Sequence, residues 1–277
     1  RNLNAQPWTQ PFETRSVLAA LKLTHAINQN WTLNAAAQSQ RVRTDDRIAF
    51  PDGCSDAAIY VYPGFCGNGD YDLYDFRSEN ERRTLNVLDA HVRGTFGFVE
   101  GKSTFALGAQ RRDFTQRTQP QAYNFAGSGN LFLSNVAVSA APIATIPGTN
   151  LDERATELYV NTHIYFKSGL NAFAGVRSAR VERGSIRTDG SEAFDVKQTV
   201  VTPWFGATYA IDKSLNVYAS WGQGAESEIV PNRPQQYTNY GAVLPTLKST
   251  QIEIGAKWQV ASRLLLTPAV FEISNPY

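Results

Sequence analysis

The chain has 277 residues, a formal net charge of +1 and 12% aromatic residues. That length allows one large domain or about two ordinary ones. The near-neutral charge gives no argument for nucleic acid or for an acidic partner. No run of 18 apolar residues is present, so a transmembrane helix is excluded, which leaves strands as the only way through a membrane.

The chain begins at Arg1 and contains no methionine and no signal peptide. It is therefore expected to be a processed chain or a fragment.

Ten strands are expected, in five hairpins closed by short turns. The first runs from Arg15 to Ile27, turns at 28–30 and returns from Trp31 to Arg43. Val17, Ala19, Leu21 and Leu23 share one face, as do Leu33, Ala35 and Ala37. A long connection, 44–75, leads into a strand from Phe76 to Phe98. Its phase slips near Val87 and Leu88, which predicts a β-bulge there. A turn over 99–103 precedes Thr104 to Thr118, and a second long connection spans 119–151. Arg154 to Phe166 turns at 167–169 into Leu170 to Glu182, and a glycine-rich loop covers 184–194. Val196 to Tyr209 turns at 211–214 into Leu215 to Gly222. A third long loop, 223–247, carries Pro231, Pro234 and Pro245. The last hairpin is Ser249 to Val260, a turn over 260–263, and Leu264 to Ile273.

The alternation is cleanest in Gln251 to Val260. Ile252, Ile254, Ala256 and Trp258 fall on one side, with Gln251, Glu253 and Lys257 on the other. Period two with one bulky apolar face marks a strand between unlike surroundings. Long connections separated by two strands and one tight turn must all leave the same rim, and loops this long are uncommon without a function. The predicted class is all-β: an antiparallel up-and-down transmembrane β-barrel, apolar outside and polar inside. A soluble Greek-key sandwich would scatter its long connections.

Cys54 and Cys66 stand 12 positions apart in the first long loop. A metal pair would need closer spacing and further Cys or His partners. A disulfide is the expected reading. It implies an oxidising compartment and about 3 kcal/mol of loop stabilisation in the chain-entropy model. Asp89 and His91 share one face, but no nucleophile pattern accompanies them. Their plainer role is a hydrogen bond within the wall, and no enzymatic activity is expected. The GSGN run at 127–130 sits mid-loop and not between a strand and a helix, so it is no phosphate cradle.

Three stretches carry a resemblance: Leu247-Lys248-Ser249-Thr250, Ile252-Glu253-Ile254-Gly255-Ala256-Lys257, and Val270-Phe271-Glu272-Ile273. Together with VYASWGQGAES at 217–227, they resemble TonB-dependent outer-membrane receptors, above all the ferric-siderophore branch. Ser249 stands where that family often has proline. The resemblance covers essentially the whole chain. It implies the middle part of a barrel of 22 strands. The family's plug domain, TonB-box and closing strands are absent from this sequence.

The resemblance implies active transport of a ferric siderophore across the bacterial outer membrane. TonB would act through the missing N-terminal region, and lipid and lipopolysaccharide would surround the barrel. No cofactor is implied, because iron travels inside the siderophore. Cobalamin or a carbohydrate is the alternative cargo, and an outer-membrane barrel enzyme the alternative class. The residues expected to meet the ligand are the loop aromatics Phe50, Tyr60, Tyr62, Phe65, Tyr123 and Phe125, with Arg111 and Arg112 at the mouth. Loop packing is the competing role for the aromatics. A cross-strand lattice with acids such as Asp113 and Glu153 is the competing role for the arginines. Trp31, Phe98, Phe166 and Tyr209, next to the short turns, are expected to form the periplasmic aromatic girdle.

Overall fold

The computed structural model describes residues 2–55, 60–62, 64–134, 137–226, 230, 238 and 247–275. The described residues hold strands and no helix. In chain order the strands are β1 (Gln10–Ala26), β2 (Trp31–Pro51), β3 (Cys54–Ser55), β4 (Tyr60–Val61), β5 (Asp70–Phe98), β6 (Gly101–Arg117) and β7 (Ala122–Asn130). They continue as β8 (Thr149–Phe166), β9 (Leu170–Arg187), β10 (Phe194–Ala210), β11 (Leu215–Glu226), β12 (Leu247–Ala261), β13 (Leu264–Leu266) and β14 (Ala269–Ser274). One sheet of 12 strands follows chain order, β1-β2-β5-β6-β8-β9-β10-β11-β12-β13. β14 continues β13 along the same edge of β12, and β3 pairs β4 separately. Every ladder is antiparallel, so the five tight turns share one rim and the long connections share the other.

Side-chain chemistry closes the tight turns. In 27–30 the Asn28 Oδ1 accepts from the backbone N–H of Asn30 and Trp31 at 2.9 and 3.0 Å. In 211–214 the Asp212 Oδ1 accepts from Ser214 and Leu215 at 2.6 and 2.9 Å. Both are Asx-turns, in which a short polar side chain stands in for a backbone acceptor. These bonds hold the Asp212 carboxyl below its usual value, the Ser214 hydroxyl being the largest cause. The turn over 167–169 uses Gly169 at φ +85°, a region glycine enters without steric cost.

Period two gives the sheet two unlike faces. One cross-strand row runs Phe105, Thr162, Ala174, Phe205, Trp221, Ile252; the next runs Ile164, Ala172, Ala207, Ala219, Ile254, Val270. This face leaves Leu21 73%, Leu158 62% and Ile254 60% exposed. A continuous apolar face of that extent marks an interaction surface, not the exterior of a soluble monomer. The other face is polar and concave: Arg112 of β6 and Glu226 of β11 line one recess of about 710 Å³.

Glycines sit directly opposite rings on the concave face. Gly108 faces Tyr159, Gly175 faces Trp204, Gly206 faces Phe173 and Gly255 faces Tyr218. A Cβ on any of the four would meet its ring at 2.4–2.6 Å. Each ring covers its glycine's bare backbone, a pairing that lets a sheet curl without leaving a gap.

The strands outrun the sequence reading at the loop rim. β2 continues to Pro51 and β5 begins at Asp70, so both ends of the expected connection 44–75 are strand. Inside the expected loop 119–151, β7 takes the edge of β5 that β6 vacates: β6 pairs Arg82–Phe98 and β7 pairs Asp70–Arg77. The turn expected over 99–103 closes within Val99 and Glu100. The third long loop lies mostly outside the described residues, including Pro231, Pro234 and Pro245. The last strand breaks at 267–268, where proline has no N–H to donate; the Pro268 carbonyl accepts from the Ala256 N–H at 2.9 Å.

The bulge near Val87 and Leu88 is a correction. Those residues pair without interruption with Gln38 and Ala37. Leu85 and Val87 are simply apolar residues on the concave face, which imitated a slip. The irregularity lies higher, where Thr44 pairs Glu81 and Asp46 pairs Ser78. Two residues of β5, Glu79 and Asn80, there oppose Asp45. Asn80 adopts φ +58° and its N–H donates to Asp45 Oδ1 at 2.7 Å.

Candidate functional site: an aromatic rim above a charged inner wall

The long strands β2 and β5, with the short β7 beside β5, extend past the rest of the sheet at the loop rim, and the two faces of this ribbon differ. On one, Ala49, Tyr71 and Leu73 form a small buried core covered by Leu3, Trp8, Leu131 and Val138. Trp8 Nε1 donates to the Val138 carbonyl at 3.1 Å, and Arg77 stacks over the Trp8 ring at 5.8 Å. Asp75, fully buried, accepts from Arg77 at 2.8 and 2.9 Å and from the Ala141 N–H at 2.8 Å. A buried carboxylate needs such saturation. The disulfide Cys54–Cys66 lies at the same end, Cα atoms 5.7 Å apart. These contacts anchor the raised ribbon from behind.

The other face continues the concave wall, because even-numbered residues of β2 keep their side through Thr44, Asp46, Ile48 and Phe50. Pairing places Phe50 against Tyr74, Tyr74 against Phe125, and Phe76 against Tyr123. Tyr74 and Tyr123 stack at 4.7 Å between centroids with 2° between planes. Phe50 and Phe76 approach Tyr123 at 6.0 and 6.4 Å, and Phe125 meets Tyr74 edge-on at 6.1 Å. Five rings thus form one patch, in which Phe125 is 55% exposed. Flat rings fixed by cross-strand neighbours offer contact area at little entropic cost.

Charge lines the wall below. Arg83 is held by Glu81 at 2.7 Å and Gln116 at 3.1 Å. Two arginines, Arg112 and Arg183, converge on Glu153 at 2.5 and 2.6 Å, and Arg177 meets Glu157 at 3.3 Å. Arg112, Arg183, Glu153, Arg177 and Glu157 line the 710 Å³ recess. Lower still, Asp89 accepts from the Tyr159 hydroxyl at 2.9 Å and lies 3.1 Å from His91 Nδ1. The pair works as a hydrogen-bonded brace between strands. Among the described residues, no group of three or more acids, histidines or cysteines is arranged to hold a metal.

The expected ligand residues divide. Phe50, Tyr123 and Phe125 come together in the rim patch, joined by Tyr74 and Phe76. Phe65 instead packs edge-on against Tyr71 at 5.6 Å, behind the ribbon. Tyr62 is exposed beyond β4, and Tyr60 is placed by its backbone, opposite Ser55. Arg112 lies on the concave wall. Arg111, its neighbour in the chain, belongs to the convex face, where Asp113 binds it at 2.9 Å. Adjacent strand residues cannot share a face, so the two cannot serve one concave site.

The family model "TonB dependent receptor-like, beta-barrel" matches residues 1–275. The chain belongs to that family. No curated protein matches it by sequence. Among solved structures, the sheet is similar to BauA, the ferric preacinetobactin receptor of Acinetobacter baumannii. The TM-score is 0.73 at 17% identity, over 96% of this chain and 38% of that one. Fiu, the ferric-catecholate import receptor of E. coli K12, gives 0.75 at 16% identity, over 95% and 41%. The ferripyoverdine receptor of the outer membrane of Pseudomonas aeruginosa, bound to ferripyoverdine, gives 0.72 at 17%, over 98% and 34%. At these identities the likeness is one of fold. The chain of this TonB-dependent receptor family member spans about two fifths or less of each neighbour's length.

Proposed function

We propose that the chain is part of the barrel wall of a bacterial outer-membrane receptor that takes up a ferric siderophore with energy from TonB. The observation that carries this reading is the rim patch of Phe50, Tyr74, Phe76, Tyr123 and Phe125, at the loop-side end of the same concave face that carries a lattice of arginine–glutamate pairs. Aromatic faces suit the planar and apolar parts of an iron chelator, and tyrosine hydroxyls can bond its oxygens. Below, Arg112 and Arg183 share the Glu153 carboxylate and Arg177 pairs with Glu157; with Glu226 also in the lining, the recess holds as many acids as arginines, a charge-balanced polar wall whose guanidinium groups can exchange ion-pair partners with a chelate passing inward. No bond is made or broken. The family match and the siderophore receptors among its structural neighbours support the same cargo class.

The apolar convex face would meet lipid, with the tight turns toward the periplasm and the raised ribbon outside the cell. Trp31, Phe98, Phe166 and Tyr209 would sit at the inner lipid boundary. The remaining strands of a closed barrel, a plug and the TonB contact would come from sequence beyond this chain. The test is binding and uptake of labelled ferric siderophores by cells making the full-length receptor. Uptake should saturate, require TonB and fall when the rim rings are truncated.

A further inference from the structure

From the charges around the rim patch we infer the class of chelate that this rim selects: one that carries a protonated amine and offers it to Asp46, beneath the rings. The inference rests on the transport reading proposed above. Asp46 stands on β2, 15 residues beyond Trp31, past the roughly 9–11 residues that a strand needs to cross a bilayer. It shares the concave face with Ile48 and Phe50. Its cross-strand partner is Ser78, and the next pair on that face is Ile48 with Phe76. Phe76 is therefore its diagonal neighbour, about 7–8 Å away in such ladders. Asp46 Oδ1 is shut off from solvent and has no hydrogen-bond donor among the described residues. A buried carboxylate oxygen in that state lacks a partner that it needs. Burial, and then the charge of Glu81, push the Asp46 carboxyl above its ordinary value, while a bond from the Arg47 backbone pulls the other way.

The ribbon supplies no counter-charge for Asp46. Arg47 pairs with Glu79, and Arg77 with Asp75 at 2.8 Å, both behind the ribbon. Arg43 pairs with Asp45 at 3.0 Å and, like its partner across the ladder Arg82, belongs to the convex face. Among the described residues of the ribbon from Val42 upward, Arg83 is the one cation that faces inward, and Glu81 holds it at 2.7 Å. Glu81 also accepts from the Ser78 hydroxyl at 2.6 Å. Asp46 thus remains as the open charge beside five rings. Ring faces attract cations, and a carboxylate short of a donor bonds an ammonium group strongly. Both features select the same group on the ligand. A chelate with only negative charge would meet Asp46 as a like charge and be disfavoured.

The experiment uses the full-length receptor in detergent and a matched pair of probes: a linear ferric trihydroxamate with one free primary amine, and the same chelate N-acetylated. The two share one neutral iron centre and differ by a single positive charge. A ferric tricatecholate is the anionic comparison. Fluorescence quenching reads binding, and heat-modifiable gel migration confirms a folded barrel. The amine chelate should bind about tenfold or more tightly than its acetylated form, the scale of one charge-assisted bond. Asp46→Asn should bring the two to parity, as should Asp46→Ser if the first variant folds poorly. Asp152→Asn, which removes one charge from the convex face, should keep the preference. Equal binding of the matched pair, a preference unchanged in the folded Asp46 variants, or saturable binding of the tricatecholate with neither hydroxamate form bound overturns the inference. Absence of saturable binding by every ferric chelate strikes instead at the transport reading.

Discussion

The ring of Tyr74 lies flat on the ring of Tyr123, 4.7 Å between centroids and 2° from coplanar. The two residues are 49 positions apart in the chain and belong to neighbouring strands, β5 and β7. Their contact forms only when the second long connection folds back along the edge that β6 leaves. Ligand capture and loop architecture therefore depend on the same pair.

Truncating either partner should weaken ferric-siderophore binding in the full-length receptor by about 2 kcal/mol, the scale of an aromatic anchor. The Tyr74→Ala/Tyr123→Ala variant should lose less than the sum of the two single losses, because each ring positions the other. Titration of the chelate by fluorescence quenching measures all three.

The ring-on-glycine pairs predict selective intolerance. Gly108→Val would place a Cβ 2.4 Å from Tyr159, and Gly175→Val a Cβ 2.6 Å from Trp204. Each should cost about 1–3 kcal/mol, the usual range for overpacking. Gly97→Ala meets nothing within 4 Å and should fold like the parent. Urea unfolding of the refolded receptor compares them.

The two faces should differ in their tolerance of charge. Ile254→Arg, at a convex position in the second apolar row, should destabilise the barrel by about 2–4 kcal/mol near the bilayer midplane. Gln251→Arg, on the concave side of the same strand, should cost far less. Equal losses would count against lipid on the convex face.

Asp212 gives a local pH dependence. Its carboxyl is held below the ordinary value of 3.8 by bonds from the Ser214 hydroxyl and the turn's backbone. A depressed carboxylate contributes its stabilisation fully above the unfolded value and loses it as pH falls through the folded one. Amide exchange at Ser214 and Leu215 should therefore stay protected above about pH 4 and speed up below it, relative to the turn at 27–30. Asp212→Ala should remove that pH dependence.

Much of the fold was legible because period two depends on the local sequence. Ile252, Ile254 and Trp258 announce a one-sided strand without any knowledge of its partners, and Asn28 and Asp212 announce their turns. Pairing at the loop rim was not legible. Strand reading stopped near Arg43 and Phe76, where alternation ends, although backbone pairing continues to Pro51 and Asp70. Phe50, Tyr74 and Tyr123 were consequently read as loop residues and Phe76 as the start of a strand, so their cross-strand contact was not foreseen. The bulge was misplaced because apolar Leu85 and Val87 face inward, whereas its true marker is Asn80, a residue type that tolerates positive φ. Stricter use of alternation would have divided Arg111 from Arg112, since neighbours on a strand point to opposite faces.

The most direct measurement is equilibrium binding of a panel of ferric siderophores, cobalamin and oligosaccharides to the full-length receptor and to its Phe50, Tyr74, Phe76, Tyr123 and Phe125 quintuple alanine variant. Heat-modifiable migration shows that both are folded. Saturable binding of a ferric siderophore by the parent, lost or weakened at least a hundredfold in the variant, is the predicted result. Saturable binding of cobalamin or an oligosaccharide with no ferric siderophore bound, or siderophore affinity unchanged in the variant, would contradict the account.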